Sequence, residues 1–311
     1  MRKALTFGIT SSLFFASAFI FNQQMSVSGG SWVWSSSLRY IFMLPMLTVI
    51  MLVQNQLTPV IKDIARRPDK WVLWSTIGFG VFYAPLTFAS EYGASWLVAG
   101  TWQITIIAGA LLTPLFYKKV QTEAGFIKVR NKLPRKSLMM SSIILIGIFL
   151  MQFQHAKSIS LTKALIGTIP VIIGAFAYPL GNRKMIEVSN NQFSTLQRIF
   201  GMTLCSMPFW ITLAGVGLFN VGIPSGGQVA QSLIVAVFSG IIATTLFFKA
   251  TDMVSEDPHK LAVVESTQSG EVIFTLLGGI FLFHDKIPTT TDLIGIALVV
   301  IGMILNSLIE A

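Results

Sequence analysis

Apolar residues run along this chain in long blocks rather than in the alternation expected of strands. Ten stretches approach the 20 or so mostly apolar residues that cross a hydrocarbon core roughly 30 Å thick. They lie at approximately 4–22, 34–54, 71–90, 96–117, 137–154, 162–181, 195–218, 231–250, 261–283 and 289–308. Their length and uniformity predict helices, because lipid leaves only helices and closed barrels as spanning forms and barrel strands alternate. The first stretch opens with Arg2-Lys3 and holds Ala16-Ser17-Ala18, the outline of a cleavable signal peptide. The apolar run continues through Phe19, Ile20 and Phe21, and nine more stretches follow, so it reads as a retained first helix.

Composition agrees: 53% of the 311 residues are hydrophobic and 11% are charged, against roughly 25% charged in a soluble domain. The mean hydropathy is +0.71. These values exclude a water-soluble enzyme, a disordered chain and a disulfide-rich secreted domain, and the lone Cys205 has no internal partner. The net charge of +9 is a matter of position. Eighteen Lys and Arg residues fall on one side of the expected membrane, while only Arg39, Lys157, Lys163 and Lys286 fall on the other. That bias puts both termini in the cytoplasm. The basic excess is therefore a topology signal, and no soluble domain is present to turn it toward nucleic acid. The longest loop, roughly 118–136, is basic and cytoplasmic; it reads as an orientation signal with anionic-lipid contact, with a regulatory role as the alternative.

A shift of roughly 155–165 residues brings the chain back onto itself. Asn22 and Met25 fall on Asn182 and Met185, Arg39 and Met43 on Arg198 and Met202, and Thr101-Trp102-Gln103 on Ser266-Thr267-Gln268. Pro134 falls on Pro288, and Ile146-Gly147 on Ile301-Gly302. Five crossings is an odd number, so a second copy enters from the opposite face. The expectation is an all-α polytopic membrane protein of ten transmembrane helices in two inverted five-helix repeats, residues 1–154 and 155–311. Inverted repeats point to alternating access around a site near the bilayer midplane. Arg39 and Arg198 then occupy equivalent positions on opposite faces, as an interfacial charge pair or as two snorkelling arginines.

The ten-span plan, the repeat and the ending Leu282-Phe283-His284-Asp285-Lys286-Ile287, followed by Leu293-Ile294-Gly295 and Val300-Ile301-Gly302, resemble the drug/metabolite transporter superfamily. Among its branches the chain is most similar to the multidrug-resistance efflux group. Asp285 stands where that superfamily usually has Glu; Glu271 fits an acidic position in span 9, and Val272 replaces the Pro that often follows it. The resemblance implies small-molecule transport through a cavity lined by spans 3, 4, 8 and 9.

Polar groups inside lipid carry the remaining information, since a carboxylate at the bilayer centre costs about 2.5–3.5 kcal/mol on insertion scales. Span 9 holds Glu265 and Glu271. At 100° per residue, Glu265, Gln268, Glu271, Thr275, Gly278 and Gly279 share one sector of about 140°, with Ser266 outside it. Such a stripe faces other helices or a watery cavity. Glu271, near mid-span, is the leading candidate for binding substrate or a proton; the alternative is a carboxyl satisfied between helices. Glu265, two turns closer to the cytoplasm, is a second proton site, a vestibule charge or an ion-pair partner. Gln103 and Gln268 match in the repeat and could hydrogen-bond substrate from both halves. Trp102 offers a wall for a flat cation or, alternatively, packs toward lipid; Tyr83 and Tyr178 are weaker aromatic candidates. Gly295 and Gly302 suit close helix contact, within one chain or in a homodimer.

The three histidines, His155, His259 and His284, lie in or beside expected loops, and no metalloprotease, nucleophile-elbow, phosphate-loop or CxxC motif occurs. No enzyme activity, metal or cofactor is implied. The expected partners are the lipid bilayer, a small-molecule substrate and a coupling ion, most simply H+, that drives export. The rivals are an exporter or permease of a polar metabolite such as an amino acid or nucleoside, and a non-transporting receptor or scaffold. A zwitterion site would need a basic group at midplane, and no central Lys or Arg is expected.

Overall fold

A computed structural model describes residues 1–122, 125–190, 192–254, 258–285 and 287–310. Lys286 of the charge count lies outside these residues, as does Ala311 at the end of the second expected repeat. Helices α1 (Arg2–Val27) and α2 (Trp32–Val53) make the first two passes, and a short surface helix, α3 (Leu57–Arg66), follows. The third pass is α4 (Pro68–Ser75), a π-helical turn (Thr76–Val81) and α5 (Phe82–Ala89). The fourth is α6 (Ser95–Trp102) and α7 (Ile104–Leu112). After α8 (Arg135–Ser158), α9 (Leu161–Val188) and α10 (Thr195–Asn220), the eighth pass is α11 (Gly226–Val235), a second π turn (Ala236–Ala243) and α12 (Thr244–Asp252). The ninth is α13 (Pro258–Glu265), a 3-10 turn (Ser266–Ser269) and α14 (Gly270–Phe283), and the last is α15 (Thr290–Glu310). Among the described residues nine of these stretches are long and apolar enough to cross a membrane, and the tenth expected stretch is the apolar helix α15. The chain is a multi-pass, all-α membrane protein.

Two elements stand where no ordered structure was expected. The basic loop contains an antiparallel hairpin, β1 (Tyr117–Thr122) with β2 (Gly125–Arg130), in which Tyr117 pairs with Arg130. Helix α3 buries Val60 and presents Lys62 and Arg66 outward. Asp63 ties it down: its carboxylate accepts from Trp71 Nε1 at 2.9 Å and pairs with Arg67, which also donates to the Val188 carbonyl at the end of α9. His155 lies in the last turn of α8, beside the following loop, with Nε2 at 3.0 Å from the Tyr92 carbonyl oxygen.

The passes pair across the chain rather than along it. α8 packs along α15, and α2 along α10. α1 packs against α12, the second π turn and α14, while α9 packs against α5, the first π turn and α7. Glycines permit the closest of these contacts. A Cβ on Gly295 would sit 2.7 Å from the Gly147 carbonyl oxygen, and one on Gly302 would sit 2.7 Å from Ile144 Cγ1. The expected packing role of Gly295 and Gly302 is thus met by α8 of the same chain. Ser137 and Ser141 extend that seam by donating to Asn306 Oδ1 at 2.7 and 3.2 Å.

The irregular turns fall at positions that the sequence shift superposes. The π turns contain Gly78 and Gly80 in one case and Gly240 in the other. The second break coincides with hydroxyl side chains: Ser266, Thr267 and Ser269 each donate to a carbonyl three residues back. Such local bonds compete with the α-helical ladder and favour a tighter turn. In the fourth pass, Gln103 N–H bonds the Gly100 carbonyl, also three residues back, and separates α6 from α7.

The α8–α15 seam yields a stability prediction. Gly147→Leu places a Cβ against the Gly295 backbone carbonyl and Val299, and should cost about 1–3 kcal/mol as an overpacked core does. Gly215→Ala, where nothing lies within 4 Å, should stay within about 0.5 kcal/mol of wild type. Thermal unfolding of the purified proteins in one detergent checks both.

Candidate functional site

A cavity of about 650 Å³ occupies the middle of the bundle, within the size range of small-molecule sites. Its inner wall is made by Arg39, Tyr83, Trp102, Gln103, Gln268 and Glu271. From there it runs between the helices toward the end of the bundle where Pro134, Thr195, Arg198, Glu265 and Asn306 stand. The other end is closed by polar contacts. Trp34 Nε1 donates to the Gly222 carbonyl at 2.9 Å, and Gln228 Nε2 donates to Ser31 O and Ser35 Oγ at 2.7 and 2.9 Å. Asp285 accepts from Ser95 Oγ at 2.6 Å and Ser95 N–H at 3.3 Å, so this residue of the family-like ending caps the start of α6.

Glu271 stands in the first turn of α14, directly after the 3-10 turn. Gln103, whose Nε2 donates to the Ala99 carbonyl at 3.1 Å, and Arg39 line the same cavity as this carboxyl. Gln268 is one turn away, with its Nε2 donor unpartnered. The matched residues of the repeat, Gln103 and Gln268, thus meet in one space. Glu265 is exposed and lies on the path to the mouth.

The stripe on span 9 does not survive as one face. Glu265, Gln268 and Glu271 line the cavity, and Ser266, expected outside the stripe, lines it too. Thr275 is fully buried and Gly279 packs beside Ser95 and Asp285, both away from the cavity. A 3-10 turn has three residues per turn rather than 3.6, so it rotates α14 relative to α13 and sends the two ends of the stripe in different directions.

Arg39 overturns the expectation of a site without a central cation. It lies two turns into α2, about 10 Å from the helix start, where interfacial snorkelling was the simpler reading. The guanidinium instead turns into the bundle and is 8% exposed. Its Cζ stands 4.1 Å over the Tyr83 ring and 5.7 Å from the Tyr40 ring centroid, and Nη2 donates to Ser239 Oγ at 3.1 Å. Ser239 belongs to the second π turn, and Phe79, 5.2 Å from Tyr40, belongs to the first. π turns commonly mark functional sites, and here both flank the same arginine. The ring positions are themselves held: Asn22 Nδ2 donates to Tyr83 Oη at 2.9 Å, and Tyr40 stacks on Trp210 at 4.4 Å. A sequence signal was present, in the run Ser35-Ser36-Ser37 one turn before Arg39. All three serines are buried, which marks this part of α2 as facing protein.

Arg198 stays at the cavity mouth, half-buried, with bonds to the Phe193 carbonyl and Thr195 Oγ1 at 3.4 and 3.3 Å. The two matched arginines therefore sit at different depths of one cavity. Trp102 packs against Phe82 and Tyr178, at 4.9 and 5.6 Å between ring centroids, and faces the cavity rather than lipid. The lining is wider than spans 3, 4, 8 and 9, since α1, α2, α9, α10 and α15 also contribute. Cysteine accessibility separates the two parts of the span 9 stripe. Gln268→Cys and Thr195→Cys should react with a charged, water-soluble thiol reagent, whereas Thr275→Cys should not. Native Cys205 is buried and should give little background. Labelling of Thr275→Cys as fast as Gln268→Cys contradicts this geometry.

Comparison with known proteins agrees with this architecture. The model of the EmrE family, described as "Putative multidrug resistance efflux transporter", matches residues 2–311. YjlA of Bacillus subtilis (strain 168), an uncharacterized protein, is 53% identical over 305 residues, covering 98% of this chain and 94% of YjlA. An uncharacterized 42.1 kDa protein from Shouchella clausii is 46% identical over 271 residues, 87% of this chain and 70% of its own. A solved crystal structure has the same fold, with a TM-score of 0.66 at 10% identity over 100% of this chain and 98% of its own. The chain belongs to the EmrE family of multidrug resistance efflux transporters.

Proposed function

We propose that this protein is a proton-coupled secondary transporter of the cell membrane that exports small organic compounds, with both termini in the cytoplasm. The observation that carries the proposal is the position of Glu271, a carboxyl in the wall of a deep cavity that Gln103 and Gln268 also line. A carboxyl there can hold a proton or a positively charged group of a substrate, but not both well. The distribution of Lys and Arg favours a cytoplasmic cavity mouth, which supports reading this conformation as inward-open.

The proposed cycle follows from this competition. Ionised Glu271 binds substrate from the cytoplasm, and the mouth closes as the opposite end opens. Substrate leaves, a proton takes its place on Glu271, and the protonated form returns to release that proton inside. Two inverted halves, residues 1–154 and 155–311, are proposed to rock against each other. Support comes from the π turns and helix breaks at superposable positions and from the pairing of α2 with α10 and α8 with α15. Glu265 is proposed to pass protons between Glu271 and the mouth, and Gln103, Gln268 and Trp102 to contact substrate.

One observation favours a second reading within transport. Arg39 supplies the basic group that a polar-metabolite site requires, so the cargo extends beyond simple cations to compounds with an anionic group.

Flux in proteoliposomes under an imposed pH gradient, across cationic dyes and polar metabolites, tests the proposal. Wild-type protein should move at least one of these compounds against its gradient when the substrate-receiving side is acidic. Glu271→Gln should lose that coupling while eluting as a folded protein from a sizing column. Wild-type pH dependence in Glu271→Gln overturns the assignment.

A further inference from the structure

Arg39 places a buried guanidinium in the cavity wall. Its charge is permanent at any pH a protein survives, it is 8% exposed, and it forms part of the cavity wall. A guanidinium carries five N–H donors. In this protein Nη2 bonds Ser239 Oγ at 3.1 Å and the flat face rests on Tyr83, while Nε has no partner. Asp63–Arg67 and Lys184–Glu187 form ion pairs, and neither involves Arg39 or Glu271. Arg39 and Glu271 both line the cavity, so a guanidinium and a carboxyl share one space without closing on each other.

A guanidinium in a cavity wall is suited to a carboxylate. A carboxyl in the same wall, here Glu271, is suited to an ammonium group. We propose that the substrates of this transporter are small zwitterions of the amino-acid type, whose carboxylate docks on Arg39 while the ammonium faces Glu271. This deepens the transport reading above and rests on it. Zwitterion binding also removes a difficulty of a purely cationic cargo, which would have to enter beside the Arg39 charge. The aromatic surfaces of Trp102, Tyr178 and Phe82 remain for the side chain of the ligand.

Ligand binding to the purified full-length protein tests the subsite without relying on transport. Amino acids with small, aliphatic and aromatic side chains are each compared with their methyl esters and decarboxylated amines by thermal shift and intrinsic fluorescence titration. At least one amino acid should bind about tenfold or more tightly than its ester and amine, the loss expected when a charge-assisted bond is removed. Arg39→Gln should erase that preference for the amino acid over its ester. Equal or tighter binding of every ester, no binding of any amino acid at millimolar concentration, or a preference that persists in Arg39→Gln overturns the proposal. The wild-type comparison alone decides the matter if the variant does not fold. Proteoliposome flux keeps the two readings apart. Selective amino-acid binding without pH-driven flux defeats proton coupling and leaves the Arg39 site standing. pH-driven flux of amines without amino-acid selectivity does the reverse.

Discussion

The arrangement of this protein depends on one constraint: a guanidinium is buried in a helical bundle whose surroundings are lipid. An uncompensated charge there is costly, so its neighbours must be placed to serve it. Tyr83 lies under the guanidinium, Tyr40 stands beside it, and Ser239 accepts its bond. Each of these is fixed in turn, Tyr83 by Asn22 of α1 and Tyr40 by Trp210 of α10. Five passes are thereby tied to one side chain. The same contacts form the floor of the cavity and close it off from the far end.

Helix irregularity does the positioning. A regular helix would carry each polar residue of the ninth pass along one face. The 3-10 turn at Ser266–Ser269 turns Glu271 and Gln268 toward the cavity and leaves Thr275 in a helix contact. The two π turns bring Phe79 and Ser239 onto the Tyr40–Arg39 pair. These breaks occur without proline, at glycines and at serines or threonines that bond their own backbone. They are also points where a helix can change direction at low cost, which suits a cycle that opens and closes around the same residues.

Electrostatically, the cavity carries groups of both signs at its mouth and at its centre. Arg198 stands near the entrance with Glu265, and Arg39 and Glu271 stand at depth. A doubly charged small molecule entering that path meets its complement at each step. A bare cation or anion meets only one.

Much of the fold was legible in the sequence. Block hydrophobicity located the passes to within a few residues, because lipid demands a long apolar helix for each crossing. The surface helix α3 and the hairpin at Tyr117–Arg130 were missed because both are too short to cross a membrane, and α3 is held by a tertiary partner, Asp63 with Trp71. Glu271, Gln103, Gln268 and Trp102 were identifiable as polar or amphipathic residues in apolar passes, and they meet in the cavity. Arg39 was visible, yet its depth was not. Position along a helix measures distance from an end, whereas burial depends on which face its neighbours cover. Thr275 erred the other way, because a helical wheel assumes one period throughout and the 3-10 turn breaks it. The sequence by itself determined a multi-pass helical membrane protein, its passes and the carboxylates of the ninth pass, since these follow from residue solubility in lipid and from local period. That Arg39 and Glu271 line one cavity emerges only on folding, because packing and irregular turns that no local pattern specifies bring distant helices around the same space.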